Sequence, residues 1–154
     1  MLKKYKNKII NLIKEHREIL IYVIVGGMTT LVSWATHISL FKFAGMNDNV
    51  SNIISIIVAV TFAFFANKIF VFRSKTETKT ALFREMVLFG ASRLVSAIVE
   101  VFGYIFMKFL IGYVNISLIK ENPEIAAKIL IGVVIIILNY VLSKFIVFRK
   151  KKEN

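Results

Sequence analysis

Six residues place polar or ionisable groups inside stretches that are otherwise apolar: Asn67, Lys68, Arg93, Glu100, Asn139 and Lys144. Three cations and two amides suit a phosphate, which needs positive charge and hydrogen-bond donors. The carboxylate of Glu100 suits sugar hydroxyls, or a proton that couples transport. A helix rises about 1.5 Å per residue, so Arg93 is expected roughly 10–12 Å from the near end of its apolar run. The same arithmetic puts Asn139 roughly 13 Å and Asn67 roughly 8 Å from the corresponding ends of theirs, with Lys68 and Lys144 nearer the surface. Glu100 follows Arg93 by seven residues, on the same helix face and about 10 Å deeper. A charge at such depth in a bilayer costs about 2.5–3.5 kcal/mol or more, which makes it a functional candidate by default. Structural roles compete with this reading. Lys68, Lys144, Arg73 and Arg149 can extend to the interface and anchor their helices. Asn67 and Asn139 can join neighbouring helices, and Arg93 can pair with Glu100.

Other chemistries find no support. The chain has no cysteine and only two histidines, His16 and His37, which are far apart. Neither a thiolate nucleophile nor a zinc site is expected. There is no nucleophile–base pair, no metal-ligand set and no phosphate-cradling glycine loop, so no enzyme and no cofactor is expected. The net charge of +12 would suggest nucleic acid in a soluble domain. Here the basic residues flank apolar runs, so nucleic acid is not expected as a partner.

Hydrophobic residues make up 57% of the 154 residues, against about 45–50% in an average soluble domain. They fall in long runs separated by short polar clusters, the pattern of membrane spans and loops. The expected fold is an all-α membrane protein of four transmembrane helices, with spans at about 19–43, 50–72, 86–112 and 125–148. Residues 1–18 alternate lysines with apolar residues at helical spacing and predict a basic amphipathic helix on the membrane surface. A basic N-terminal region of this length predicts no cleaved signal peptide, and residues 150–154 form a basic tail. Gly26, Gly27 and Ser33 are small residues that would let span one approach a neighbour closely. Asp48 or Asn49 is the expected N-cap of span two. Asn122, Pro123 and Glu124 suit the start of span four.

Sixteen of the twenty-one lysines and arginines lie in the N-terminal segment, the loop after span two and the C-terminal end. Four spans put these three regions on one side, so the positive-inside rule predicts both termini in the cytoplasm. Span two ends in Lys68-Ile-Phe-Val-Phe-Arg73 and span four in Lys144-Phe-Ile-Val-Phe-Arg149, identical at four of six positions. Leu31-Val-Ser33 recurs as Leu94-Val-Ser96, each four residues after a glycine. The chain therefore reads as two duplicated helical hairpins, related by an axis along the membrane normal.

These segments resemble the GtrA-like family of small four-span membrane proteins, with the nearest likeness to its GtcA-like branch, linked to teichoic-acid glycosylation. The resemblance is carried by YVIVGGMTTLVSW, FANKIFVFR, REMVLFGASRLVSAIVE and AAKILIGVVIIILNYVLSKFIVFR, over roughly residues 17–149. It implies movement of a polyprenyl-phosphate-linked sugar from the cytoplasmic to the outer leaflet of the plasma membrane, for glycosylation of teichoic acid or another surface polysaccharide. On that reading Arg93, Glu100, Asn67, Lys68, Asn139 and Lys144 would meet phosphate or sugar. Membrane lipid and membrane glycosyltransferases would be the further partners. Two alternatives stand beside it: a non-transporting accessory subunit of a membrane glycosyltransferase, and a proton-coupled exporter of cations. The excess of buried positive charge speaks against the exporter. Four helices are few to enclose a pathway, so a homo-oligomer is expected.

Overall fold

A computed structural model describes residues 16–76, 78–111 and 123–149. Among the described residues every regular element is helical: α1 (Arg17–Ile38), α2 (Asp48–Ala66), α3 (Lys79–Ile111) and α4 (Pro123–Leu142). Three of them continue into a single wide π-helical turn: π1 (Ser39–Phe43) after α1, π2 (Asn67–Val71) after α2 and π3 (Ser143–Val147) after α4. Four continuous helices, Arg17–Phe43, Asp48–Val71, Lys79–Ile111 and Pro123–Val147, are long and apolar enough to cross a membrane. Their outer surfaces carry Trp34, Leu94 and Phe102 at 64%, 70% and 68% exposure. In water such a surface would drive association; in hydrocarbon it is the solvated face. The amphipathic helix expected over 1–18 falls almost entirely outside the described residues, which include only His16, as the N-cap of α1, and Arg17 and Glu18 in its first turn.

The chain divides after Leu82 into two compact units, each containing one helical hairpin. In the first, α1 packs along α2 and π2. The seam is a stripe on α2 at four-residue spacing: Ser51, Ser55, Ala59 and Ala63, all buried. Small side chains there let the two backbones approach, which drives helix association in lipid. Span one contributes the larger Tyr22 and Val25 to this seam. Gly26 and Gly27, expected at a close contact, face open space, since a Cβ at either would meet nothing within 4 Å. The cap of α2 is Asn47, one residue earlier than expected, with Oδ1 accepting the Asn49 N–H at 2.9 Å. The shift leaves Asp48 in the first turn, where it favours the helix dipole and lies 3.3 Å from His37 Nε2 across the hairpin.

The second unit pairs α3 with α4. The helices meet closely at Gly103, where a Cβ would run into the Ile131 side chain, 3.2 Å from its Cγ1. Lys108 Nζ donates to Glu124 Oε1 at 2.6 Å where α3 ends and α4 begins. At its start α3 extends seven residues beyond the apolar run that begins at Met86. Thr78 caps it there, its Oγ1 accepting the Ala81 N–H at 3.2 Å.

The repeated motif has a structural meaning in both units. Phe72 N–H bonds the Asn67 carbonyl at 2.9 Å, and Phe148 N–H bonds the Ser143 carbonyl at 2.8 Å, each closing a π turn. Val71, Phe72, Val147 and Phe148 are buried, whereas the positions that swap Ile with Phe (Ile69, Phe70, Phe145 and Ile146) are exposed. The identical valine and phenylalanine of each copy therefore pack, and the exchanged residues meet the surroundings. An aromatic residue of the preceding span closes on each terminal phenylalanine: Tyr22 on Phe72 with centroids 6.4 Å apart, and Phe89 on Phe148 at 6.1 Å.

Candidate functional site

The six candidate residues divide between the two hairpins. Asn67 and Lys68 open π2 in the first; Arg93, Glu100, Asn139 and Lys144 belong to the second.

Asn67 is 1% exposed. Its Nδ2 donates to the Ala63 carbonyl at 2.7 Å, while its Oδ1 is buried with no hydrogen-bond partner among the described residues. An unsatisfied buried acceptor costs about 1–3 kcal/mol, so its retention asks for a reason. Lys68 is also buried. Its ammonium donates to Ser74 Oγ at 3.4 Å and to Thr76 Oγ1, both in the loop after the span. Hydroxyls of the loop that follows thus hold this ammonium.

In the second hairpin Arg93 is half-buried on α3, its guanidinium 4.8 Å from the centroid of the Phe89 ring. Phe89 itself is fully buried against Phe148. This stack is worth about 0.5–2 kcal/mol and holds the planar cation flat on an apolar wall. It leaves the N–H fork available, since Arg93 has no carboxylate partner among the described residues. One turn further along α3, Ser96 Oγ–H lies between Asn139 Oδ1 at 2.7 Å and the Ser92 carbonyl at 2.9 Å, a three-centre bond in the buried seam with α4. The Nδ2 donors of Asn139 are not consumed by it. Lys144 donates to Tyr140 Oη at 2.8 Å on its own helix, with its ammonium 5.2 Å from that ring centroid.

Glu100 is exposed, among the exposed apolar side chains of Ile98, Val101 and Phe102. The ion pair with Arg93 that a seven-residue spacing permits is not formed. An arginine stacked on Phe89 points toward its own preceding turn, away from the deeper acid.

The structure thus joins Ser96 with Asn139 across two helices, and sets Arg93 one turn from them. Asn67 and Lys68 are neighbours in π2, and Lys144 reaches neither Arg93 nor Asn139 by a hydrogen bond. Sequence reasoning did not select Ser96, Phe89, Ser74, Thr76 or Tyr140 as site residues. Ser96 had a signal, since it belongs to the Leu-Val-Ser echo. Phe89 is four residues before Arg93, the spacing at which a cation and an aromatic meet on a helix.

Comparison with known proteins agrees with this architecture. The family model described as "GtrA/DPMS, transmembrane domain" matches residues 21–148. The "Cell wall teichoic acid glycosylation protein GtcA" of Listeria monocytogenes serovar 1/2a is 34% identical over 151 residues, 98% of each chain. The protein of the same name from Listeria innocua serovar 6a is 37% identical over 87% of this chain and 86% of its own. The "Bactoprenol-linked glucose translocase" of Shigella phage SfX is 31% identical over 85% of this chain and 94% of its own. These relatives carry the names of a translocase and of glycosylation proteins. With four apolar helices of spanning length and a match over nearly its whole length, the chain is a multi-pass membrane protein that belongs to the GtrA/DPMS transmembrane-domain family.

Proposed function

We propose that the protein translocates a polyprenyl-phosphate-linked sugar from the cytoplasmic to the outer leaflet of the plasma membrane, for glycosylation of teichoic acid or another cell-surface polysaccharide. The observation that carries this reading is Arg93. It is a planar cation braced on a buried phenylalanine, one helical turn from the Ser96–Asn139 pair, in a chain similar along most of its length to a bactoprenol-linked glucose translocase. The guanidinium binds the lipid phosphate through its fork, and the Asn139 amide donates to a phosphate or sugar oxygen. Glu100 accepts hydrogen bonds from sugar hydroxyls. The isoprenoid tail stays in hydrocarbon, so only the polar head needs a path. Binding and reorienting a head group involves no bond making, and the protein acts as a non-enzyme. Lys144 serves this head group nearer the cytoplasmic end of its span, while Asn67 and Lys68 offer a lipid phosphate donors within the first hairpin.

The basic flanks orient both termini toward the cytoplasm. The exposed carboxyl of Glu100 amid apolar side chains favours an assembly that covers it, either a second copy of the chain or a membrane glycosyltransferase. That same observation supports a second reading, in which the protein is a non-transporting accessory subunit that stabilises or recruits the glycosyltransferase.

Sidedness of a lipid-linked sugar in reconstituted vesicles decides between them. Translocation is expected with the wild-type protein and is expected to fall by about tenfold or more with Arg93→Ala, the value of a charge-assisted hydrogen bond. Equal rates in vesicles with and without protein would sink the translocation reading.

A further inference from the structure

A cleft of about 350 Å³ lies where the first span pair meets the start of α3. Four of the lining residues are polar: Lys68, Lys79, Thr76 and Thr78. The other three, Phe65, Ile69 and Leu82, are apolar, and Phe65 and Ile69 are 41% and 57% exposed. All seven residues belong to the first compact unit.

The local structure builds this cleft. After π2 the chain turns back through Arg73, at φ +48°, and Ser74 N–H bonds the Lys68 carbonyl at 3.0 Å. The turn lays Ser74 and Thr76 over the Lys68 ammonium and holds that cation at the cleft. The 33-residue helix α3 begins at the same place, with Lys79 as its first residue. Its first N–H groups have no partners within the helix and its dipole is positive at this end. Residues 68–79 carry four basic residues against one acidic, a net +3. Two cations, two hydroxyls and a helix start select an anion with several oxygens. The apolar lining residues select an anion attached to hydrocarbon. The volume is at the small end of the range for ligand pockets, about 300–1,000 Å³, enough for a head group and the first part of a tail. The second copy of the motif is built differently, since Lys144 is turned onto Tyr140 of its own helix.

We propose that this cleft is a binding site for the phosphate of an isoprenoid phosphate lipid, a loading site at the rim of the first hairpin that is separate from Arg93. The proposal rests on the translocation reading for the identity of the tail, and on the cleft alone for the phosphate. Thr78 and Lys79 are the new binding residues, beside Lys68 and Thr76.

The test uses the full-length protein in discs of neutral phosphatidylcholine and a photoreactive polyprenyl phosphate as the probe. Lys79→Gln is expected to weaken retention of the probe about tenfold, the worth of one charge-assisted hydrogen bond. Lys79→Arg is expected to keep it. Lys75→Gln removes the same charge from the same loop but outside the cleft, and is expected to leave retention within about twofold, the screened effect of one exposed charge. Equal losses for Lys75→Gln and Lys79→Gln, or none for Lys79→Gln, would overturn the site. Four competitors, each equimolar with the probe, test the source of the phosphate. Displacement by unlabelled polyprenyl phosphate alone supports the proposal. Equal displacement by polyprenol, by inorganic phosphate or by phosphatidylglycerol overturns it in favour of tail, free-anion or bulk-lipid binding. The two readings fail separately. A Lys79-dependent site in a protein that moves no lipid-linked sugar would defeat translocation and leave the site standing. Translocation without any Lys79 dependence of binding would do the reverse.

Discussion

Arg73 holds a backbone conformation that costs a residue with a Cβ about 1–2 kcal/mol. The equivalent place after π1 is taken by Gly45, at φ +64°. Both turns share one pattern, a five-residue bond closing the π turn and a six-residue bond across the left-handed residue: Ala44 to Ser39 and Met46 to Leu40, Phe72 to Asn67 and Ser74 to Lys68. Strain is thus accepted at Arg73 and avoided at Gly45. Arg73→Gly should raise the thermal midpoint of the purified protein by about 2–4 °C, as about 1 kcal/mol of strain is released in a chain of this size. A scan of the variant in detergent checks it, and an unchanged or lowered midpoint would show that the arginine side chain repays its backbone. For Arg93 the test is the kind of charge. Arg93→Lys keeps a cation but loses the planar stack on Phe89 and the two-pronged fork. It should recover only part of the translocation lost by Arg93→Ala, measured as initial rates in the same vesicle assay.

Helices in hydrocarbon gain nothing from the hydrophobic effect on pairing with each other, so contact quality decides their association. In the first hairpin the quality comes from the Ser51, Ser55, Ala59 and Ala63 stripe, and in the second from Gly103 against Ile131. Gly103→Ala should therefore destabilise the second hairpin by about 1 kcal/mol or more, since the added methyl overpacks the seam. Pairing it with Ile131→Val should recover part of that. Gly26→Ala and Gly27→Ala add methyl groups into open space and should be neutral or mildly stabilising, because alanine is the better helix former. Unfolding the four variants in mixed detergent micelles tests the contrast. The Ser96–Asn139 contact is the polar counterpart of these seams. A double-mutant cycle with Ser96→Ala and Asn139→Ala should give a coupling of about 0.6 kcal/mol and no more than about 1.7, the range for such bonds in membranes. Coupling near zero would mean that the two side chains satisfy themselves within their own helices.

Across the molecule, duplication built two hairpins with one framework and different chemistry. Aligning the glycines that precede the Leu-Val-Ser echo sets Thr30 against Arg93 and His37 against Glu100. Aligning the span endings sets Ala63 against Asn139. The first hairpin thus carries Thr30, His37 and Ala63 where the second carries Arg93, Glu100 and Asn139. The first in turn has the polar cleft at its end, while the second closes Lys144 onto Tyr140. Orientation is testable in a background that needs no preparation, because the chain has no cysteine. A cysteine replacing Lys75 should react with an impermeant maleimide only after the cytoplasmic side is opened, and one replacing Met46 should react from outside in intact cells. The opposite labelling would reverse the topology drawn from the positive charges.

The number of spans, the helical class, the repeat and the family are legible along the chain, because each rests on local composition and short motifs. Apolar runs of spanning length report the helices directly, and the Lys-x-x-Val-Phe-Arg pair reports the duplication. The sequence also singled out Asn67, Lys68, Arg93, Glu100, Asn139 and Lys144, since any polar group in an apolar run stands out. What each one touches follows from how the helices pack. Arg93 lies on Phe89 rather than on Glu100, Asn139 meets Ser96, Lys68 meets a loop, and the glycines of span one meet nothing. Span pattern constrains which residues are buried in lipid, whereas rotamer, crossing point and the widened π turns set which buried groups face each other. Those depend on the packing of two helices at a time, and no single helix encodes it.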